Sequence, residues 1–204
     1  MLYPIGIQSF KEIRTGGYVY VDKTALVYKL THSGKYFFLS RPRRFGKSLI
    51  LSTLEAYFEG RKDLFEGLAI AELEKDWKAL PVIHIDFNTG DYETVEGLLN
   101  RLDKTLTEQE KKHGQEKAAE DSGLRFEYLL KNICASTGNK VVVLIDEYDK
   151  PLLETIGTPD LQEKMRNKLR DMYSVLKTCD EYIQFAMLTG VTKFGHLNVF
   201  SGLN

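Results

Sequence analysis

The chain has 204 residues, 43% of them hydrophobic, with 28 Lys and Arg against 29 Asp and Glu. This is the composition of a soluble globular protein, long enough for one large α/β domain or two small ones, and its near-neutral charge excludes the global basic field that draws a protein onto nucleic acid. Cys134 and Cys179 are too few for a disulfide framework and fit free thiols in a reducing cytosol; no apolar run reaches membrane-span length, and the opening MLYPIGIQSFKEI lacks the basic-then-apolar order of a signal peptide, so a cytoplasmic location is expected.

In chain order, Ser9 with Glu12 three residues on is a capping box for a short helical turn, and Gly16-Gly17 marks a turn. Tyr18–Val21, aromatic and β-branched, predicts a short strand. Asp22 is then expected to cap a helix running through Tyr28 to His32. Asp22, Lys23 and Thr24 are also weak candidates for nucleotide contact, with the cap reading preferred. Tyr36–Leu39 predicts a buried strand, Ser40–Gly46 is a basic loop, and Lys47-Ser48 opens an amphipathic helix carrying Leu49, Leu51, Leu54 and Tyr57.

Further on, Ile70–Leu80 has a helical pattern, with Trp77 packing on the domain. Pro81–Phe87 (PVIHIDF) is strand-like and ends in the turn signal Asn88-Thr89-Gly90, with His84 as a core residue and Asp86 as a minor candidate at the strand end. Residues 91–136 read as two helices, the charged stretch Glu108–Glu120 being solvated helix end and loop. Val141–Ile145 is an unbroken apolar run, as in a central strand covered on both faces, and ends in Asp146-Glu147. Tyr148–Pro151 turns the chain, with Asp149 either supporting a site or capping. Residues 158–179 form a long helix, and Tyr182–Leu188 a further buried strand leading to Thr189 and Thr192.

Strand, loop, Gly-Lys-Ser, helix is the layout of a phosphate-binding loop. Backbone N–H groups and the helix dipole favour an anion at such a helix start. Arg43, Arg44, Phe45, Gly46, Lys47, Ser48 and Leu49 are the candidate nucleotide contacts. Lys47 would reach the β- and γ-phosphates, and Ser48 would offer its hydroxyl to Mg²⁺. Arg41 stands where this loop pattern has its first glycine, so a phosphate nest depends on the backbone angles of Arg43, Arg44 and Phe45. Acids at the carboxyl end of a central strand suit a Walker B role: Asp146 for the metal, Glu147 to orient and polarise the attacking water. Thr189 is the expected sensor of that water or of the γ-phosphate, with Thr192 as the alternative.

RPRRFGKS, the preceding YVYVDKT, the later LIDEYDKP and LTGVTKF running to FSGLN resemble the AAA-ATPase-like domain of bacterial and archaeal proteins, in which a PD-(D/E)XK nuclease-like region often follows. The arginine-rich loop without its first glycine is itself a feature of that family. The resemblance covers essentially the entire chain. It implies an α/β fold: a P-loop NTPase of the additional-strand (ASCE, AAA-like) kind, a parallel sheet flanked by helices, with the Thr189 strand between the Walker A and Walker B strands and Pro81–Phe87 beyond. It further implies that a last strand, a lid and any nuclease-like region would follow Asn204. Residues 1–34 are then an N-terminal extension packed on a core of residues 35–204.

The function expected on this basis is Mg²⁺-dependent binding and hydrolysis of ATP, with Lys47, Glu147 and Thr189 catalytic and Ser48 and Asp146 holding the metal. The alternative is a nucleotide-binding switch with little turnover that regulates a downstream region. A nucleic-acid module using the RPRR loop is the weakest reading; nucleic acid would be met only through a region outside this chain. Oligomeric state and the choice of ATP over GTP are not read from the residues themselves.

Overall fold

The computed structural model describes residues 1–192. Lys193-Phe194 and the closing Phe200–Asn204 of the motifs above lie outside the described residues. Eight α-helices and four strands are seen within them, besides two short 3-10 turns: α1 (Phe10–Thr15), α2 (Thr24–Thr31), β1 (Tyr36–Ser40), α3 (Lys47–Phe58), α4 (Ala69–Leu73), β2 (Val82–Asp86), α5 (Val95–Lys112), α6 (Ser122–Thr137), β3 (Val141–Asp146), α7 (Lys150–Glu154), α8 (Pro159–Thr178) and β4 (Ile183–Gly190).

The strands form one parallel sheet in the order β1-β4-β3-β2. The strand of Thr189 thus lies between those of the Gly-Lys-Ser loop and the Asp146-Glu147 pair, the order expected above. Side-chain alternation splits the core in two. Ile83, Ile85, Val143, Ile145, Ala186 and Leu188 face α5, α6 and α8. Val82, Val142, Leu144, Phe185 and Met187 face α3 and the N-terminal helices. Because both faces are covered, β3 is buried at every position, as its unbroken apolar run requires. A register irregularity between Val141 and Val142 lets Gln184 of β4 face outward.

Several local expectations are corrected. Tyr18–Val21 forms no strand; a single parallel bridge joins Leu2 to Tyr18, and no other segment among the described residues pairs with it. The N-cap position of α2 is Lys23 and not Asp22, although Asp22 Oδ1 does accept from Thr24 N, the first N–H of that helix, at 2.8 Å. Asp22 Oδ2 in addition accepts from Ala69 N at 2.7 Å and Thr24 Oγ1 from Ile70 N at 3.1 Å, so the pair also satisfies the free N–H groups that open α4. The helix predicted over Ile70–Leu80 stops at Leu73. The chain beyond runs back along α3, where Leu80 N donates to Phe58 O at 2.7 Å and Trp77 packs on Tyr57 and Phe65. Glu110, expected in solvent, is buried against Arg125 of α6, with Arg125 Nε 2.6 Å from Glu110 Oε1.

The outer edge of β2 is paired by side chains of α5. Gln109 accepts from His84 N at 3.3 Å and donates to His84 O at 3.0 Å, His113 Nε2 lies 3.0 Å from Val82 O, and Arg101 donates to Asp86 O. His84 itself is half-buried, with Nδ1 2.9 Å from Glu55 Oε2 of α3.

Candidate functional site

In a parallel sheet all carboxyl ends lie on one side. Ser40 is in register with Gly190, Ile145 with Leu188, and Asp86 with Asp146, so the loops after β1, β3 and β4 open onto one rim. The loop after β1 turns tightly. Arg44 has φ +67° and Gly46 φ +78°, and Phe45 between them is not left-handed. Alternation of this kind turns successive N–H groups to one side and makes an anion-binding concavity. Arg44 therefore adopts a conformation that costs a non-glycine residue about 1–2 kcal/mol.

A cleft of about 680 Å³ opens over this loop, within the size range of small-molecule sites. It is lined by Arg43, Arg44, Gly46, Lys47, Ser48 and Leu49 from the loop and α3, by Glu147 after β3, by Asn88 and Lys150, and by Pro4–Gln8 of the N-terminal segment. Four cations against one carboxylate give the lining a net positive charge suited to a polyanion. Lys150 donates to Asn88 O, joining the turns after β2 and β3 at the rim.

Lys47 is buried beneath the cleft, its Nζ 3.1 Å from Glu147 Oε1 and 3.4 Å from Pro42 O. Glu147 has φ +51°, a turn that carries its side chain off the strand direction and towards Lys47. Asp146 does not line the cleft. It is buried behind Glu147, and its Oδ1 accepts from Glu147 N at 3.0 Å and from Thr189 Oγ1. Thr189 is fully buried and directs its hydroxyl onto Asp146 rather than into the cleft. Thr192, the alternative, donates its hydroxyl to Asp149 Oδ2 at 2.7 Å. Phe45 points away into solvent at 68% exposure.

The donor chemistry fits a hard cation such as Mg²⁺. Asp146 Oδ2 and the Ser48 hydroxyl have no hydrogen-bond partner among the described residues, and both are oxygen ligands. No group of three or more His, Cys, Asp or Glu is arranged to hold a metal among the described residues. Burial, then the Asp149 charge, push the Tyr148 hydroxyl up to about 12; the phenol remains a donor to Thr192 O at 3.0 Å.

Sequence reasoning missed three contributors. Pro4–Gln8 has no periodicity, and only its position in space brings it to the cleft. It is anchored by Val19 N donating to Leu2 O at 2.8 Å on one side and Phe10 N donating to Ser52 Oγ at 2.9 Å on the other. Asn88 read only as a turn residue. Lys150 stands three residues after Glu147, and that proximity was the available signal. Asp22-Lys23-Thr24, weighed above for nucleotide contact, is absent from the cleft lining.

The family model for predicted AAA-ATPases matches residues 4–200. A protein of Azotobacter chroococcum mcd 1, described as the uncharacterized protein in the vnfD 5′ region, is 43% identical over 203 residues, covering 98% of this chain and 39% of that relative. The chain thus spans about two fifths of that relative's length. No solved structure gives a significant match. No helix among the described residues is long and apolar enough to cross a membrane. The match over nearly the whole length, with the basic loop and the acidic strand end meeting at one cleft, establishes that the chain belongs to the predicted AAA-ATPase family.

Proposed function

We propose that the chain is an additional-strand P-loop NTPase core that binds ATP with Mg²⁺ and hydrolyses its γ-phosphate. The observation that carries this reading is the convergence of Lys47, Ser48 and Glu147 on one positively lined cleft above a loop with alternating backbone handedness. The loop N–H groups and Lys47 hold the β- and γ-phosphates, with Arg43 and Arg44 adding positive charge at the rim. Phe45 contributes backbone, its side chain being turned away, and Leu49 lines the cleft wall. Glu147, released from Lys47 by the phosphates, orients the attacking water. Ser48 and Asp146 would hold the metal, which supplies neutralisation of the phosphate charge. Thr189 acts through its hydrogen bond to Asp146. Catalysis of this kind is chiefly positioning and charge stabilisation.

In this reading residues 35–204 are the nucleotide-binding core and residues 1–34 an extension laid on it, with Pro4–Gln8 forming the wall that faces the base. A cytoplasmic location follows from the need for ATP. The deciding experiment is phosphate release from Mg²⁺–ATP. Wild type should turn over, Lys47→Ala should bind at least about tenfold more weakly and not turn over, and Glu147→Gln should bind without turnover. Binding by wild type without phosphate release would replace hydrolysis with a nucleotide-operated switch.

A further inference from the structure

Asp149 belongs neither to the cleft lining nor to the Asp146-Glu147 pair, yet it is fully buried. Its Oδ2 accepts three hydrogen bonds from the turn after β4: Val191 N at 2.8 Å, Thr192 N at 2.6 Å and Thr192 Oγ1 at 2.7 Å. Its Oδ1 is buried without a hydrogen-bond partner among the described residues and packs against Gly190. A Cβ at Gly190 would stand 2.6 Å from Oδ1 and 2.5 Å from Tyr148 Cε1, so a glycine is needed for the strand end to close over the carboxylate.

The same turn grips the start of the phosphate loop. Arg41 N donates to Gly190 O at 3.1 Å, and Ser40 Oγ donates to Val191 O at 2.9 Å. On the Asp149 side the contact is doubled by Tyr148, whose N donates to Thr189 O at 2.9 Å and whose hydroxyl donates to Thr192 O. A continuous set of hydrogen bonds therefore runs from Asp149, through Gly190–Thr192, to Ser40 and Arg41.

A buried carboxylate is costly unless its donors are well placed. Here the three donors on one oxygen all come from the turn that holds the phosphate loop. We propose that Asp149 is a positioning residue for phosphate binding: it fixes the turn after β4, and that turn fixes the first residues of the phosphate loop. The proposal rests on the nucleotide reading above.

The test is calorimetric titration of Mg²⁺–ADP into wild type, Asp149→Ala, Asp149→Asn, Ser40→Ala and the Ser40→Ala/Asp149→Ala double variant, with Tm measured for each. Asp149→Ala should weaken binding about tenfold, equivalent to ~1.4 kcal/mol. Asp149→Asn should stay within about threefold of wild type: its amide oxygen keeps the acceptor, weaker than a carboxylate, and its N–H₂ takes the unpartnered side. Ser40→Ala should weaken binding about three- to fivefold, and the double variant should be no weaker than Asp149→Ala, because residues acting in one relay are not additive. Additive losses, or an unchanged Kd with only a lowered Tm, would overturn the proposal. If Asp149→Ala does not fold, an unchanged Kd in Ser40→Ala overturns it equally. Failure of wild type to bind Mg²⁺–ADP is a separate result, which removes the nucleotide reading itself.

Discussion

Lys47 Nζ lies 3.1 Å from Glu147 Oε1, with the two side chains 3% and 14% exposed. The residue expected to bind phosphate is thus paired with the residue expected to orient water. In a largely desolvated site such a pair is strong, and incoming phosphate must compete with Glu147 for Lys47. Glu147→Gln should therefore bind Mg²⁺–ADP about three- to tenfold more tightly than wild type, or ~0.7–1.4 kcal/mol. Glu147→Asp separates this exchange from a general charge effect. It keeps the charge, tolerates the left-handed backbone, and is one methylene too short to hold Lys47 in the same way. It should tighten ADP binding too; an unchanged or weaker affinity in Glu147→Asp would show that the pair does not compete with phosphate.

Arg125 is buried on α6 and forks onto Glu110 of α5, with Nε and Nη2 both 2.6 Å from its carboxylate, while Nη1 reaches Asp103 at 2.5 Å. Arg125→Met should lower unfolding free energy by about 3–5 kcal/mol, because it leaves Glu110 buried and unpaired. Adding Glu110→Leu should recover most of that loss. Urea denaturation of the two variants measures both numbers.

Glu55 sets an acid limit on stability. Burial pushes its carboxyl up, but the hydrogen bond and charge of His84, with Lys112 adding to both, outweigh burial and hold it at about 2. A folded value below the unfolded one gives stability that is complete above about pH 4.5 and is lost as pH falls towards about 2. Denaturant midpoints should fall with acidification across that window, and Glu55→Gln should lower the neutral-pH midpoint while flattening the slope. An equal slope in the variant would assign the acid sensitivity to other carboxylates.

The edge of β2 is satisfied by side chains instead of by another strand. Gln109→Ala removes two of those bonds and should cost about 1–3 kcal/mol, as it leaves backbone groups of His84 unpaired. It should also promote self-association, since an unpaired edge is a template for strand addition. Denaturation together with light scattering tests both effects; a monodisperse, equally stable variant would mean that solvent replaces Gln109 without cost.

Much of this architecture is legible in the sequence because its signals are local. The apolar run of β3, the helical stripes of α5, α6 and α8, and the Gly-Lys-Ser and Asp-Glu pairs each declare themselves within a few residues. Where the reading departed from the structure, distant contacts decided. Tyr18–Val21 has strand chemistry but no neighbouring strand among the described residues, and Asp22, besides accepting from the first N–H of its own helix, spends its other oxygen on a helix 47 residues away. Asp149 resembles a turn residue until its donors, 42 and 43 residues on, are brought against it. The contribution of Pro4–Gln8 to the cleft is likewise set by packing, since nothing in that stretch has a phosphate-binding pattern. The loop obtains its reversal from the left-handed Arg44 and Gly46 and not at position 41, where the phosphate-loop pattern has its first glycine.

The most direct test of the account is calorimetric titration of ATP, ADP and GTP with Mg²⁺ into wild type and Lys47→Ala. The account predicts that wild type binds ATP and ADP and that Lys47→Ala, retaining its fold by circular dichroism, loses at least about tenfold in affinity, ~1.4 kcal/mol. Nucleotide affinity that is undiminished in Lys47→Ala, or absent from folded wild type at high protein concentration, would contradict it.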